Sequence, residues 1–296
     1  MAETDTLDPN CGYKLESLIA EGTRGRVYLA SDSSQPGKKV AIKFLLESEF
    51  PDNELAGKHI SHEARCLTMA AHANVVKHIT TGTNPQGRPY LVMDYVPGPT
   101  LKQLLSSEQD PQVMMNMFIQ LTHVVENAHK VGILHNDLRP DKIFVQMDKK
   151  GATATLVGFG RASLLPWAGR EPIVEPPGKS GLYSLQYISP DQAMDKRCLA
   201  PSDVYALGCI IYETLTGRPP FQGENELHMM AQHLNTPAPS ISSIKGEKYK
   251  KYDEPVMQSL NKEAHRRFVD CAEFRESLQF TVPSNTGGWM SKLFKK

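Results

Sequence analysis

Two glycines near the N-terminus have the spacing of a turn that could bind phosphate. Gly22 and Gly25 lie in the run 19–27, IAEGTRGRV, between stretches that alternate apolar and polar residues. A glycine-rich turn after a strand lets backbone amides approach phosphate oxygens closely. The pattern is weak by itself, because glycines in turns often serve only the backbone conformation.

A lysine and a glutamate further along the chain suit the same chemistry. Lys43 ends the run Val40-Ala41-Ile42-Lys43, and Glu63 lies in a stretch with helical periodicity. A strand lysine can neutralise phosphate charge, and a helix glutamate can hold that lysine in place. The glycines, the lysine and the glutamate in this order are much more specific than any one of them.

Hydrophobic periodicity predicts the elements that position these residues. Residues 13–46 predict three antiparallel strands, residues 54–71 predict one amphipathic helix, and residues 76–81 and 89–94 predict two more strands. Beyond the breaker at 97–99 the apolar period becomes 3.6 residues, which indicates a mainly helical second half.

Three sequence patterns in the second half each predict a particular structural feature. Asp110 before Pro111 is typical of a helix N-cap followed by proline in the first turn. Residues 204–215 are apolar almost all round and predict a helix buried in the core of the larger lobe. Residues 166–180, rich in proline and glycine, predict a long irregular loop.

Composition bounds the classes of protein and partner. A chain of 296 residues predicts one large domain or two packed lobes. Lys and Arg total 33 against 33 Asp and Glu, so no global field attracts nucleic acid, and we expect no nucleic-acid partner. The five scattered cysteines and the polar N-terminus, with no apolar run of eighteen residues, favour a cytoplasmic chain, with a place at the inner face of a membrane as the alternative.

Over residues 13 to 280 the chain resembles the protein-kinase family. The run 135–142, HNDLRPDK, is similar to the catalytic loop, the run 158–160, GFG, to the metal-binding loop, and the run 189–191, SPD, to the end of the activation segment. Asp203 resembles the aspartate that opens the central helix, and Arg267 resembles the arginine that pairs with the acidic residue at 191. The runs 187–192 and 215–221 look most like those of bacterial-type Ser/Thr kinases.

The resemblance implies an α+β, bilobal fold. It predicts a five-stranded antiparallel sheet plus one helix in an N-lobe over 13–96, and a mainly helical C-lobe over 97–280. Residues 1–12 are predicted to be a flexible leader, and residues 281–296 a flexible linker with an apolar and basic tip. The tip, Trp289 to Lys296, predicts weak membrane contact or docking on a partner, with a disordered end as the alternative.

The resemblance also assigns candidate site residues. Asp137 stands at the position of the catalytic base, and Arg139 replaces the usual lysine two residues later. Lys43 and Glu63 match the phosphate-binding pair. The candidate nucleotide-binding residues are Ala20, Gly22, Gly25, Val27, Ala41, Lys43, Met93, Asp94, Val96, Lys142 and Phe144.

Both metal ligands of the family are replaced. Kinases hold Mg²⁺ with an aspartate and an asparagine, and these positions are Gly158 and Lys142. Neither residue can coordinate a cation, so we expect no metal site. Loss of one charge-stabilising group typically costs ~10²–10³ in rate, which predicts slow or absent phosphoryl transfer.

The same substitutions leave nucleotide binding open. The Lys142 ammonium could lie against nucleotide phosphates in place of metal, which predicts ATP or ADP binding without Mg²⁺, or it could be a solvated lysine at a site that binds no nucleotide. Phe144 falls where the family usually has an aliphatic residue under adenine. Its ring could stack on adenine or fill the pocket.

Regulation also departs from the family pattern. Asn136 replaces the arginine that commonly pairs with a phosphorylated activation segment. Ser184 is the hydroxyl residue nearest the substrate-binding end of that segment, which we expect to be held by packing of Leu182, Tyr183 and Leu185 instead. His59 and His62 have the i, i+3 spacing of metal ligands, but packed or solvated histidines are the better interpretation.

Two functions remain open at this point. The first is a pseudokinase, with slow or absent phosphoryl transfer, that acts as a scaffold or allosteric regulator and binds a protein partner, a kinase or its substrate. The second is a weak, metal-independent Ser/Thr kinase with Asp137 as the base.

Overall fold

The N-terminal part is built on a five-stranded antiparallel sheet with the order β1-β2-β3-β5-β4. The computed structural model describes residues 5–149, 151–165 and 185–282. The strands of this sheet are β1 (Tyr13–Glu21), β2 (Gly25–Asp32), β3 (Lys39–Leu45), β4 (His78–Thr83) and β5 (Pro89–Asp94). They confirm the predicted N-lobe sheet.

Strand alternation gives the sheet two buried faces. On β3, Val40, Ile42 and Phe44 belong to an outer apolar cluster, whereas Ala41 and Leu45 belong to the main core. Successive side chains of a strand point to opposite faces, so Lys43 shares the face of Ala41. Helix α1 (Asn53–Met69) packs beside β4 and β5.

Part of the predicted leader covers the outer face of the sheet. Leu7 packs against the outer apolar cluster. The Tyr28 hydroxyl donates to Asp5 Oδ2 (3.0 Å), and Arg26 Nη1 lies 3.6 Å from the same oxygen. Residues 5–12 therefore make apolar and polar contacts with the sheet.

The C-terminal part is mainly helical, as predicted. Its helices are α2 (Leu101–Leu104), α3 (Pro111–Lys130), α4 (Pro190–Ala193), α5 (Ala200–Thr216), α6 (Glu226–Asn235), α7 (Ile241–Lys245), α8 (Asp253–Ser259) and α9 (Cys271–Gln279). The Asp110 carboxylate accepts from Gln112 N and Val113 N, which confirms the N-cap of α3. Helix α5 is buried along most of its length, as its apolar run predicts.

Short strands hold the loop that resembles the catalytic loop. Strand β6 (Ile133–Leu134) pairs with β9 (Ser163–Leu164), and β7 (Ile143–Asp148) pairs with β8 (Gly151–Leu156). Residues 135–142 run from β6 to β7 and include a 3-10 turn at Pro140–Lys142. Both ends of this loop are therefore fixed by strand pairing.

The boundaries of helix α1 and strand β4 differ from the predicted ones by one or two residues at each end. Helix α1 ends at Met69 rather than at residue 71. Strand β4 begins at His78 rather than at residue 76, because Val76 N donates to Leu156 O (2.9 Å) and Val75 bridges the same residue. The backbone just before β4 thus pairs with β8.

Some predictions concern residues outside the described ranges. They are residues 1–4 of the leader, the loop over 166–180, the hydroxyl of Ser184, the packing of Leu182 and Tyr183, the linker from residue 283 onward, and the C-terminal tip from Trp289 to Lys296. Leu185 lies at the edge of the described region and is buried, 6% exposed. Within the three described ranges, no helix combines the length and apolarity needed to cross a membrane.

Candidate functional site

The lysine and the glutamate predicted to act together form an ion pair. Lys43 Nζ on β3 lies 2.5 Å from Glu63 Oε2 on α1. Glu63 is almost fully buried. Gly160 lies directly against this pair, because a β-carbon there would be 2.8 Å from Glu63 Oε2 and 3.3 Å from Lys43 Nζ. The pair therefore adjoins the run 158–160.

Sheet pairing brings several candidate nucleotide-binding residues together. Val27 is paired with Ala20 on β1 and with Lys43 on β3, and Ala41 is paired with Met93 on β5. Ala41 and Met93 are buried, while Val27 and Val96 are partly buried against the main core. Asp94 N donates to Lys77 O (2.9 Å), so its amide is used within the lobe.

The glycine-rich turn has a structural requirement of its own. Gly22 N donates to Gly25 O (2.9 Å) and closes the turn between β1 and β2. A β-carbon at Gly25 would lie 2.5 Å from Phe44 O, so only glycine fits beside β3. Arg24, the residue before Gly25, is also held by contacts. Its backbone oxygen accepts from Leu46 N (3.0 Å), and its guanidinium lies 5.1 Å from the centre of the Phe50 ring.

Asp203, in the first turn of α5, positions the loop 135–142. Its carboxylate accepts from His135 N (2.8 Å) and Asn136 N (2.9 Å), and it contacts His129 Nε2 at 2.9 Å. Burial favours the neutral acid, but His129 and the His135 amide outweigh it and lower the pKa of Asp203. The carboxylate is thus a fixed acceptor beneath the loop.

Asp137 lies among cations. Its Oδ2 forms an ion pair with Lys142 Nζ, and its Oδ1 lies 3.3 Å from Arg139 Nε. Arg139 Nη2 also lies 3.2 Å from Asp141 Oδ2. Burial favours the neutral acid, but Lys142, Arg139 and Arg161 outweigh it and lower the pKa of Asp137 to about 2. The carboxylate is ionised and already paired.

Lys142 occupies the space beside Gly158. A β-carbon at Gly158 would lie 3.0 Å from Lys142 Cδ and 3.4 Å from its Nζ, and Lys142 Nζ lies 3.3 Å from Gly158 O. Burial lowers the pKa of Lys142, and the carboxylate of Asp137 opposes that effect.

These residues do not fit the metal that the fold family uses. The Lys142 ammonium lies against Asp137 and Gly158 O, and Gly158 has no side chain that could coordinate Mg²⁺, which kinases hold with an aspartate and an asparagine. Across the described ranges, no group of three or more His, Cys, Asp or Glu side chains could hold a metal ion.

Phe144 lies on β7, opposite Thr155 of β8, and it also bridges Thr100. Its side chain is partly exposed. Stacking on adenine and filling of the pocket both stay predictions for this ring.

Asn136, predicted to replace a regulatory arginine, has a local partner. Asn136 has φ +59°, a left-handed conformation that asparagine tolerates better than most residues. Its Nδ2 donates to Ser163 Oγ on β9 (2.7 Å). A neutral hydrogen bond therefore links the loop 135–142 to the start of the segment that follows Gly160.

Sequence reasoning missed two residues of this site. Arg161, whose charge lowers the pKa of Asp137, directly follows the run 158–160, and this basic position was the available signal. Ser163 gave no signal, because only the pairing of β6 with β9 brings it to Asn136.

Three further residues singled out in the sequence have partners in the structure. Arg267 Nη1 lies 2.6 Å from Asp191 Oδ2, and the arginine side chain is fully buried. His59 packs on the Phe50 ring with 4.8 Å between ring centres, and His62 Nε2 lies 2.9 Å from Ala162 O. Both histidines are therefore packed.

Comparison with known proteins identifies the class. Residues 13–284 match the protein kinase domain family, so the chain belongs to that family. It is 30% identical over 269 residues to the serine/threonine-protein kinase PrkC of Bacillus subtilis, covering 90% of this chain and 40% of that protein. It is 27% identical over 286 residues to the probable serine/threonine-protein kinase PknB of Lactococcus lactis, covering 96% of this chain and 44% of that protein.

A solved structure supports the fold. The kinase domain of Mycobacterium tuberculosis PknI superposes with a TM-score of 0.68 at 19% identity, covering 95% of this chain and 100% of that chain. The bilobal α+β prediction is thus confirmed. The chain spans about two fifths of the length of the curated relatives it matches.

Proposed function

We propose that this chain is a pseudokinase, a member of the protein kinase family that acts by binding a protein partner. It serves as a scaffold or allosteric regulator in Ser/Thr kinase signalling. The observation that carries the proposal is the ion pair between Lys142 and Asp137 beside Gly158. One side chain thereby fills the metal region and engages the carboxylate at the base position.

The effect on phosphoryl transfer is expected to be large. Transfer depends on positioning and on stabilisation of charge at the phosphoryl oxygens, and metal ions supply much of that stabilisation. Losing one preorganised charge-stabilising group costs ~10²–10³ in rate, and here both metal ligands are replaced. In addition, a paired carboxylate with a pKa of about 2 is a poor acceptor for a substrate proton.

Relatives suggest the type of partner. The curated relatives are named as serine/threonine-protein kinases. We therefore expect the partner to be such a kinase or its substrate. A cytoplasmic site of action, with weak membrane contact through the tip 289–296, belongs to the same proposal. Vesicle co-sedimentation with and without residues 287–296 tests the membrane contact.

Nucleotide has a structural part in this proposal. ATP or ADP bound without Mg²⁺ would stabilise the closed two-lobe form by mass action, by about 2.7 kcal/mol at 100 times the dissociation constant. The intact pair of Lys43 with Glu63 favours this ligand, because the phosphate-binding lysine is held in place.

The second candidate function is a weak, metal-independent Ser/Thr kinase. The retention of Asp137 together with the intact Lys43–Glu63 pair favours it. In that case Asp137 would have to exchange its contact with Lys142 for one with a substrate hydroxyl. The two functions therefore differ in whether Asp137 is needed as a base.

A paired substitution tests the two functions. Asp137→Asn alone leaves the Lys142 ammonium without its counter-ion, so loss of effect could reflect misfolding. Asp137→Asn with Lys142→Met removes both charges and keeps the apolar stem. If this variant folds and keeps the biological effect, the binding function is supported; if it folds and loses the effect together with autophosphorylation, the enzyme is supported.

A further inference from the structure

The strongest unexplained feature is the close packing of Lys142 against Gly158, two residues that are distant in sequence. Lys142 comes from the loop before β7, and Gly158 follows β8. The lysine stem packs where any side chain at 158 would begin, with Cδ 3.0 Å and Cε 3.1 Å from that position. The absence of a side chain at Gly158 therefore leaves room for the Lys142 stem, and the stem fills the space beside Gly158.

The two substitutions also have a combined electrostatic effect. Lysine in place of asparagine adds one positive charge, and glycine in place of aspartate removes one negative charge. Relative to the metal-binding pattern of kinases, the site gains a charge of +2. One Mg²⁺ ion would bring the same charge.

A second cation stands across the same loop. Lys43 Nζ lies 3.3 Å from the β-carbon position of Gly160, and Lys142 Nζ lies 3.4 Å from that of Gly158. The charge of Lys43 contributes to lowering the pKa of Lys142, after burial and Arg139. Two ammonium groups thus flank the run 158–160, each paired with one carboxylate, Glu63 or Asp137. Each ammonium group has three N–H donors, so the two together suit a polyanionic ligand.

We infer that this site binds the polyphosphate of a nucleotide as the metal-free anion, with Lys142 in the place of the metal, so that Mg²⁺ weakens binding. The inference deepens the proposed function, since it names the ligand form of the same site. Mg²⁺ is repelled by Lys142, and a Mg²⁺-complexed nucleotide carries two fewer negative charges for the two lysines to neutralise. Asp137 acts here as a positioning residue that holds Lys142 at the site.

The test measures how the affinity for ADP depends on Mg²⁺. The full chain is titrated with ADP by calorimetry in chelator and then at increasing Mg²⁺ well above the ADP concentration. We expect the dissociation constant to rise at least tenfold as free ADP is replaced by the Mg²⁺ complex. Adenosine and tripolyphosphate, titrated in chelator, separate the contributions of the base and of the phosphates.

Variants test whether the response to Mg²⁺ comes from Lys142 and Gly158 and is not a general property of nucleotide binding. Lys142→Asn with Gly158→Asp restores the metal-binding pattern and should reverse the response, so that Mg²⁺ strengthens ADP binding. Lys149→Asn repeats the lysine change on an exposed turn. Gly217→Asp repeats the glycine change at the same φ of +81° in open space. Both controls should keep the response of the native chain.

The outcomes distinguish this inference from the proposed function. Binding that is unchanged or strengthened by Mg²⁺ in the native chain overturns the inference. Absence of ADP binding under every condition also overturns it, while leaving the partner-binding function standing. Mg²⁺-dependent phosphoryl transfer by the native chain would overturn both.

Discussion

At the scale of single residues, Asp137 and Lys142 depend on each other. Each carries a charge in a largely enclosed position, with side-chain exposures of 10% and 15%. A charge enclosed in this way is costly unless it is paired and hydrogen-bonded. The retained aspartate thus has a structural reason to be present that does not require it to accept a substrate proton.

The first prediction concerns this pair. Asp137→Asn should lower the free energy of unfolding by about 3 kcal/mol, because it leaves an enclosed ammonium group without its counter-ion. Adding Lys142→Met should recover most of the loss. Urea denaturation of Asp137→Asn, Lys142→Met and the double variant, each compared with the native chain, gives the coupling between the residues.

Asp195→Asn is the matched control for this prediction. Asp195 is exposed and has φ +51°, which asparagine accommodates, so its change should stay within about 0.5 kcal/mol. If Asp137→Asn lowers the free energy of unfolding as little as this control does, the ion pair of Asp137 with Lys142 does not stabilise the fold.

At the scale of elements, the glycine-rich turn separates into two kinds of glycine. A β-carbon at Gly25 would lie 2.5 Å from Phe44 O, whereas one at Gly22 would meet only Gly25 O at 3.9 Å. Gly25→Ala should therefore destabilise the protein by about 1–3 kcal/mol, as overpacking does, and Gly22→Ala by much less. Thermal unfolding of both variants measures the difference; equal effects would show that β2 and β3 can move apart freely.

The start of helix α3 gives a second prediction at this scale. Asp110→Ala removes the acceptor of two backbone amides and should cost about 1 kcal/mol. Glu108→Ala is the control. Glu108 is largely exposed, and its ion pair with Lys245, at 3.7 Å, lies at the surface, where such pairs contribute little to stability. Denaturation midpoints that shift equally for the two variants would argue against the cap.

Element boundaries show where sequence reasoning is strong and where it fails. The N-cap of α3 could be read from Asp110 and Pro111, since both residue types act locally. The start of β4 could not, because Val75 and Val76 pair with Leu156, which is distant in sequence. The contact of Asn136 with Ser163 depends in the same way on a strand pair of two residues.

At the scale of the whole molecule, buried histidines should make stability depend on pH. Burial and the charge of Lys142 lower the pKa of His135 to about 4, and burial and Lys262 lower that of His233 to about 3. Both stay neutral in the folded chain, while the unfolded chain binds their protons below about pH 6.5. Acid therefore favours unfolding through these two groups.

The expected size of this effect is measurable. The unfolded chain takes up protons between pH 7.5 and 5.5 that the folded chain does not, so the free energy of unfolding should fall by about 2–3 kcal/mol from these histidines. Urea denaturation at both pH values measures the fall, and His233→Gln should reduce it by about half. The same free energy of unfolding at both pH values would contradict the conclusion that His135 and His233 stay neutral in the folded chain.

The sequence motifs indicated candidate residues of the site but not their arrangement. They pointed to Lys43, Glu63 and Asp137, and they predict that Lys142 and Gly158 replace metal ligands. They could not show that Lys142 turns towards Asp137 and packs beside Gly158, because that depends on how β7 and β8 place the two loops. The effect of Arg161 on Asp137 is equally a matter of three-dimensional packing.

The measurement that most directly tests the central claim is the rate of γ-phosphoryl transfer with saturating Mg²⁺ and ATP. The native chain is compared with the Lys142→Asn, Gly158→Asp double variant, using autophosphorylation and a generic Ser/Thr peptide, with circular dichroism as the check of folding. We predict transfer at least ~10²-fold faster in the double variant, the effect of restoring a charge-stabilising group. A native chain that transfers phosphate as fast as the folded double variant would contradict the account.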